Sequence, residues 1–344
     1  MHTPATTNRS PAFTLTEVLA VIGILGTAIA ISFPALAKRK SLGAETVCMQ
    51  KQGVLSQSQF HYMNEFKGQY AGINTSGAYY QGIYPGETPV TKSGLLLGTT
   101  ASNRPTDTWD WMSPILGHSA NFSPNRAVRL QQILNVWDCP SVSGNNNSIY
   151  GTTPDRADFD NAFMHGSFRK VSYLQPASFH YYSVLNTNVP RSGILRLKQT
   201  PFQDVADIPA SFSPRLSNVG IQPSMKVLHA DGTRYVASSD YSDIVVSNNS
   251  SVYGNFAEAT PVDVLSNAYS RSDRSVSHGY GHKLSFRHAS GKINAAFFDG
   301  SVRSLPKEEA WGEARYWYPG GSTFTGLNAT PESLARYSPG SILP

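Results

Sequence analysis

The chain has 344 residues, with 28 Lys+Arg against 23 Asp+Glu and only two Cys. A hydrophobic share of 40% supports a folded core and excludes wholesale disorder, while two Cys are too few for an all-thiolate zinc site. Charged residues make up 15%, and the net charge of +5 forms no basic stripe interleaved with aromatics, so there is no strong nucleic-acid signal.

From Val18 to Ala37 the chain runs 20 residues without a charge. As a helix this run spans about 30 Å, the thickness of bilayer hydrocarbon. It is apolar on every face, so it is a membrane anchor or an export signal rather than a surface helix. Ala35-Leu36-Ala37 offers a signal-peptidase pattern, which makes a secreted soluble protein cut after Ala37 the alternative reading. Against it stand the length of the run, the single firm positive charge (Arg9) before it, and Glu17 at its mouth. A carboxylate there is unfavourable in lipid unless a cation meets it. Lys38-Arg39-Lys40 close the run, and by the positive-inside rule alone they favour a cytoplasmic C-terminal side.

The next stretch, to Phe66, reads as an amphipathic helix, with Cys48, Leu55 and Tyr62 seven apart and Phe66 four further on. Pro34 predicts a kink upstream. Gly68 to Gly98 is rich in Gly, Tyr, Thr and Ser and ends the helical pattern. Trp109-Asp110-Trp111 is a core or interface anchor, or in the alternative reading a sugar-stacking patch. The acids Asp155, Asp158 and Asp160 lie in DRADFD, most simply a solvated loop. Short β-like runs follow: Val227 to Ala230 before an Asp231-Gly232 turn, Tyr235-Val236, Leu284 to Arg287, Ile293 to Phe298 and Ser301 to Leu305. Asp299-Gly300 between two such runs predicts a two-residue type I′ hairpin. Near the end, Thr330 and Pro331 predict the N-cap and first residue of a short helix. No motif places roughly residues 100–225. The class these elements predict is α+β.

Catalytic motifs are missing: there is no G-x-S-x-G elbow, no phosphate-cradling Gly loop and no H-E-x-x-H, so no enzyme activity is expected. His278, His282 and His288 lie near Asp273 and Asp299, but Gly279 and Gly281 interrupt any helical His-x3-His face. Loop or core histidines are the simpler reading, and no metal ligand set is assigned.

Ala12-Phe13-Thr14-Leu15-Thr16-Glu17-Val18-Leu19, followed by the apolar run and Pro34, resembles the N-terminus of type IV prepilins and type II secretion pseudopilins. The resemblance implies cleavage between Ala12 and Phe13 by a prepilin peptidase, with Ala12 where Gly is the rule, and methylation of the new Phe13 amine. It implies an inner-membrane helix, other pilin or pseudopilin subunits as partners, and a C-terminal domain in the periplasm, opposite to the positive-inside expectation. Glu17 of one subunit then pairs with the Phe13 amine of a neighbour.

Phe286-Arg287-His288, Gly291, Asn294 and Phe298-Asp299-Gly300-Ser301-Val302 are similar to the H-x9-DG region of large pseudopilin-like proteins of planctomycetes and verrucomicrobia, here with ten intervening residues. His288 is expected to hydrogen-bond locally and lock the hairpin turned by Asp299 and Gly300. Cys48 and Cys139-Pro140 match the family's Cys positions. In an oxidising compartment they can form a bridge, and otherwise they are two buried thiols. Some pseudopilins bind Ca2+ through carboxylates and loop carbonyls, so the resemblance favours Ca2+ over zinc as a bound ion, although no ligand loop with regular Asp spacing is visible.

The organisation expected is a leader at 1–12, a transmembrane helix at 13–37, the exposed half of the helix at 38–67, a pilin-like α+β domain with a mostly antiparallel sheet at 68–317, and a polar tail at 318–344. A DNA-uptake pilin is a further reading of the modest positive charge.

Overall fold

The computed structural model describes residues 41–72, 104–107, 109–117, 120–182, 197–198, 205–209, 211–234, 236–238, 241–246, 254–269 and 284–344. The expectations on Ala12, Phe13, Glu17, Pro34, His278 and His282 lie outside these residues. Among the described residues no helix is long and apolar enough to cross a membrane.

Residues 41–65 form helix α1, and the compact unit Ala44–Pro344 begins within it. The only breaker in its interior beyond Gly43 is Gly53, where an added Cβ would meet nothing within 4 Å. The helix ends in a turn whose Gly68 amide donates to the Met63 carbonyl (2.7 Å), with Lys67 and Gly68 both at positive φ. That is a Schellman-type stop, satisfying a carbonyl the helix leaves open. Cys48, Leu55 and Tyr62 are buried, as their spacing predicts, but Gln52, Ser56 and Gln59 are buried on the same side. Phe66 is half-exposed and stacks on Tyr62 at 4.2 Å.

Three helices follow: α2 (Met112–Leu116), α3 (Arg126–Val136) and α4 (Arg156–His165). Asp110 receives the Met112 and Ser113 amides at the start of α2, and Asn125 receives those of Ala127 and Val128 at the start of α3. The DRADFD stretch, expected as a loop, opens α4 instead. Asp155 there pairs with the fully buried Arg126 (2.8 Å), and Asp160 pairs with Arg156 one turn away (2.9 Å). Tertiary packing of Phe159 beneath the Arg126 guanidinium makes this polar stretch helical, which no local pattern signals.

The strands are β1 (Ser148–Tyr150), β2 (Tyr173–Pro176), β3 (Tyr181–Tyr182), β4 (Leu197–Lys198), β5 (Ala206–Asp207), β6 (Val227–Asp231), β7 (Val236–Ser238), β8 (Tyr241–Val245), β9 (Ala257–Glu258), β10 (Lys292–Phe297), β11 (Val302–Pro306) and β12 (Thr323–Phe324). The main sheet has the order β11-β10-β6-β2-β9, antiparallel except for the parallel β2–β9 pair. The register sets Ala295 opposite Ala230, Ala296 opposite His229, and Tyr173 opposite Asp231. By the two-residue alternation of strands, Asp231, His229, Asn294 and Tyr173 share a face. Asp231 and the Asn294 carbonyl receive Gln52 of α1, so that face lies beneath α1. On the opposite face Phe297 meets Tyr316 edge-on at 5.6 Å, from a C-terminal layer of α5 (Lys307–Gly312) and α6 (Ala314–Trp317).

Three expectations change here. The stretch Leu284 to Arg287 forms no strand: Leu284 and Ser285 are helical, and Phe286 packs on the Trp311 ring at 5.1 Å. The Asp299-Gly300 turn is not type I′, because Gly300 alone has positive φ (87°). Its Gly300 amide donates to Phe297, the Phe297 amide donates to Ser301, and Asp299 Oδ1 accepts the Ser301 amide and hydroxyl. This is the longer hairpin loop, with one left-handed glycine. The segment after Tyr318 is not a loose tail. β12 pairs with β5, Tyr318, Phe324 and Leu343 are buried, and α7 (Pro331–Leu334) is capped by Thr330. Aromatic and aliphatic residues spaced through a polar sequence supply enough buried surface to hold it.

Candidate functional site

Cys48 leaves the buried side of α1, and Cys139 lies just past the end of α3. The two are joined by a disulfide with a Cα–Cα distance of 5.3 Å. The bridge closes a loop of 91 residues and is fully buried. Lys51, one turn along α1, reinforces the junction by donating to the Val136 and Asp138 carbonyls and pairing with the Asp138 carboxylate (3.1 Å). Arg169 meets the other oxygen of the same carboxylate at 3.0 Å.

Against the bridge sits His288. Its Nε2 lies 4.0 Å from Cys139 Sγ and 2.8 Å from Asp231 Oδ2, and its Nδ1 is 3.5 Å from Ser141 Oγ. The ring is therefore not engaged in the local hairpin contact the sequence suggested. A tight turn brings it there: the Gly291 amide donates to the His288 carbonyl, the His288 amide to the Lys292 carbonyl, and Ser290 and Gly291 take positive φ.

Asp231 is the hub of the site. It is fully buried at the end of β6, and its Oδ1 accepts Arg287 (2.7 Å) and Gln52 (3.0 Å). Its Oδ2 accepts the Asn294 amide (2.7 Å) and faces His288. Four elements thus converge on one carboxylate: α1, β6, β10 and the turn before β10. A buried charge is tolerable only when paired and hydrogen-bonded, and Asp231 has both. Sequence reading assigned Asp231-Gly232 to a turn, and it gave Gln52 no role. The signal that could have found them is the pairing of Arg287-His288 with a buried strand end, which only the fold supplies.

Deeper under α1 lies His229, fully buried and stacked on the Trp111 indole at 5.0 Å. Neither ring nitrogen has a hydrogen-bond partner among the described residues. Burial drives its pKa down to about 3, so it is neutral at pH 7. Trp109 and Trp111 are both buried, and Trp111 donates its indole N–H to the Phe256 carbonyl, so neither offers a face to a sugar.

His288 and the Asp299-Gly300 pair lie at opposite ends of β10. His288 lies beside the Cys48–Cys139 bridge, whereas Asp299 and Gly300 form the distal turn, where Gly300 approaches Phe60 of α1. Cys48 and Phe60 are 12 residues apart on a helix, about 18 Å, and β10 is six residues, about 20 Å. β10 therefore runs along the buried face of α1 from Cys48 to Phe60. His288 sits at its disulfide end, and a tight turn that lets the helix pass sits at the other.

No family model matches the chain, and no curated protein and no solved structure is significantly similar to it. The geometry by itself defines a rigid junction between a helix and a sheet, with a buried disulfide, an imidazole and an ion pair at its centre.

Proposed function

We propose that the chain is an inner-membrane-anchored assembly subunit of a type IV pilus-like filament or type II secretion pseudopilus. In this reading a prepilin peptidase cuts it between Ala12 and Phe13, and its pilin-like C-terminal domain faces the periplasm. The observation that carries the reading is Glu17, the lone acid at the mouth of a 20-residue uncharged run, four residues after Phe13. Its carboxylate is unfavourable in lipid unless a cation of a neighbouring subunit meets it, which registers one subunit on the next.

The fold is consistent with this. Helix α1 follows the apolar run after three basic residues and lies across a largely antiparallel sheet. The Cys48–Cys139 bridge and the Gln52–Asp231 contact fasten it there, so a force applied along the helix reaches the sheet. Mass spectrometry of the membrane-extracted protein tests the reading: an N-terminus at methylated Phe13 is expected, and one at Lys38 refutes it. Glu17→Ala is expected to leave the subunit in the membrane but abolish its incorporation into assemblies, measured by crosslinking.

A further inference from the structure

Among the described residues, Cys48 Sγ, Cys139 Sγ and a ring nitrogen of His288 lie within 4.8 Å of one another, all buried. A thiolate–thiolate–imidazole set at this spacing is the donor set of a tetrahedral site for a borderline-soft cation such as Zn2+. Zinc–sulfur bonds of about 2.3 Å and zinc–nitrogen bonds of about 2.0 Å put such ligand atoms some 3.5 to 4 Å apart, and Nε2 is already 4.0 Å from Cys139 Sγ. Asp231 Oδ2, 2.8 Å from Nε2 and outside the three-ligand set, supplies a counter-charge beside it.

We propose that the reduced form of this chain binds one Zn2+ through Cys48, Cys139 and His288, with Asp231 as the neighbouring counter-charge, and that the Cys48–Cys139 disulfide and the metal are mutually exclusive states of the same centre. A dithiol reductant transfers two electrons and two protons to the bridge. It leaves as its own disulfide and yields two thiols. Binding of the dication releases the two thiol protons to solvent, so two S–Zn bonds replace one S–S bond. His288 coordinates as neutral imidazole: Nε2 gives up its place against Asp231, and the ring proton moves to Nδ1, which faces Ser141 Oγ. In the metal state the two thiolates offset the dication, and the Asp231 carboxylate beside the set stays balanced by Arg287.

Two further features favour the cation. Both sulfurs and the imidazole are held by separate elements already fixed by other bonds: Cys48 by α1, the Cys139 amide by Ser172 Oγ (2.9 Å), and His288 by its turn. The three ligand residues are also buried, and the low dielectric around them strengthens the attraction between thiolates and a dication.

The experiment uses the full chain in detergent, reduced by a phosphine and titrated with Co2+ as a spectroscopic substitute for Zn2+. The expected result is one Co2+ per chain, with thiolate-to-cobalt charge-transfer absorption and tetrahedral d–d bands. Neither feature appears in the oxidised protein. His288→Ala is expected to weaken binding at least tenfold, and Asp231→Asn by roughly 10- to 100-fold. Because cysteine variants can fail to fold, the decisive arm needs none: adding a disulfide oxidant to the Zn2+-loaded wild type is expected to release one Zn2+ per chain to a chromophoric chelator as the two free thiols disappear. If the reduced chain is unfolded without metal, Zn2+ is expected to restore its near-ultraviolet dichroism. Failure of the reduced chain to bind Co2+ or Zn2+ overturns the proposal, as does binding indifferent to oxidation or to His288→Ala.

Discussion

Replacing Asp231 with Asn keeps the shape of the side chain but removes the negative charge on which Arg287, His288, Gln52 and the Asn294 amide converge. The Arg287 side chain is only 4% exposed, so its guanidinium cannot turn to water when the carboxylate is lost. Breaking a buried pair from one side costs about 3–5 kcal/mol, because an uncompensated charge stays inside. A domain of ordinary stability has about 5–15 kcal/mol in total, so the variant is expected to lose a large share of it. Urea denaturation of the oxidised protein, followed by tryptophan fluorescence, measures this directly. The internal control is Arg156→Ala: its partner Asp160 is half-exposed, and the expected loss is below about 1 kcal/mol. The double variant Asp231→Asn with Arg287→Met is expected to recover part of the loss, since no buried cation is left behind. If Asp231→Asn falls within 1 kcal/mol of the wild type, the view of this carboxylate as the electrostatic hub of the junction is wrong.

Removing the bridge with Cys48→Ser and Cys139→Ser is expected to destabilise by roughly 4–5 kcal/mol, given a closed loop of 91 residues, and equilibrium denaturation against the oxidised wild type checks it. His229 binds its proton at about pH 3 when folded and near 6.5 when unfolded, so below pH 6.5 the unfolded chain holds more protons. Its contribution is intact above pH 6.5 and falls as pH drops, by about 3 kcal/mol at pH 4, and His229→Gln is expected to flatten that slope in acid denaturation. Glu258 acts in the opposite sense, because burial raises its folded pKa to about 7. Stability is lost as pH rises from about 4.5 to 7, and Glu258→Gln should remove that decline. Gly232→Ala puts a Cβ 2.5 Å from both Leu174 Cδ1 and the Tyr269 hydroxyl, so a loss of about 1–3 kcal/mol in thermal unfolding is expected.

Local patterns were legible where one physical rule acts alone. The seven-residue spacing of Cys48, Leu55 and Tyr62 marks the buried side of α1, because helical periodicity is a property of the backbone. The apolar runs around 293–298 and 301–305 mark β10 and β11, and Thr330-Pro331 marks a helix start, since the cap and the fixed proline φ are both local. Patterns failed where a distant partner decides. Gln52 and Gln59 look like solvent positions, yet they are buried because Asp231 and the Ala71 carbonyl wait across the interface. DRADFD looks like a loop, yet it becomes helix because Arg126 and Phe159 pack together.

By itself, then, the amino-acid sequence determined the apolar run with its single acid, the α+β character of the chain, and the residues available for a redox or ligand centre. Only the tertiary structure decided that Cys48, Cys139, His288 and Asp231 meet. Residues 48, 139, 231 and 288 are dispersed along the chain, and what brings them within a few ångströms is the antiparallel register of β6 and β10 beneath α1. Register of that kind is fixed by which face of the sheet is buried, a non-local choice that no window of neighbouring residues contains.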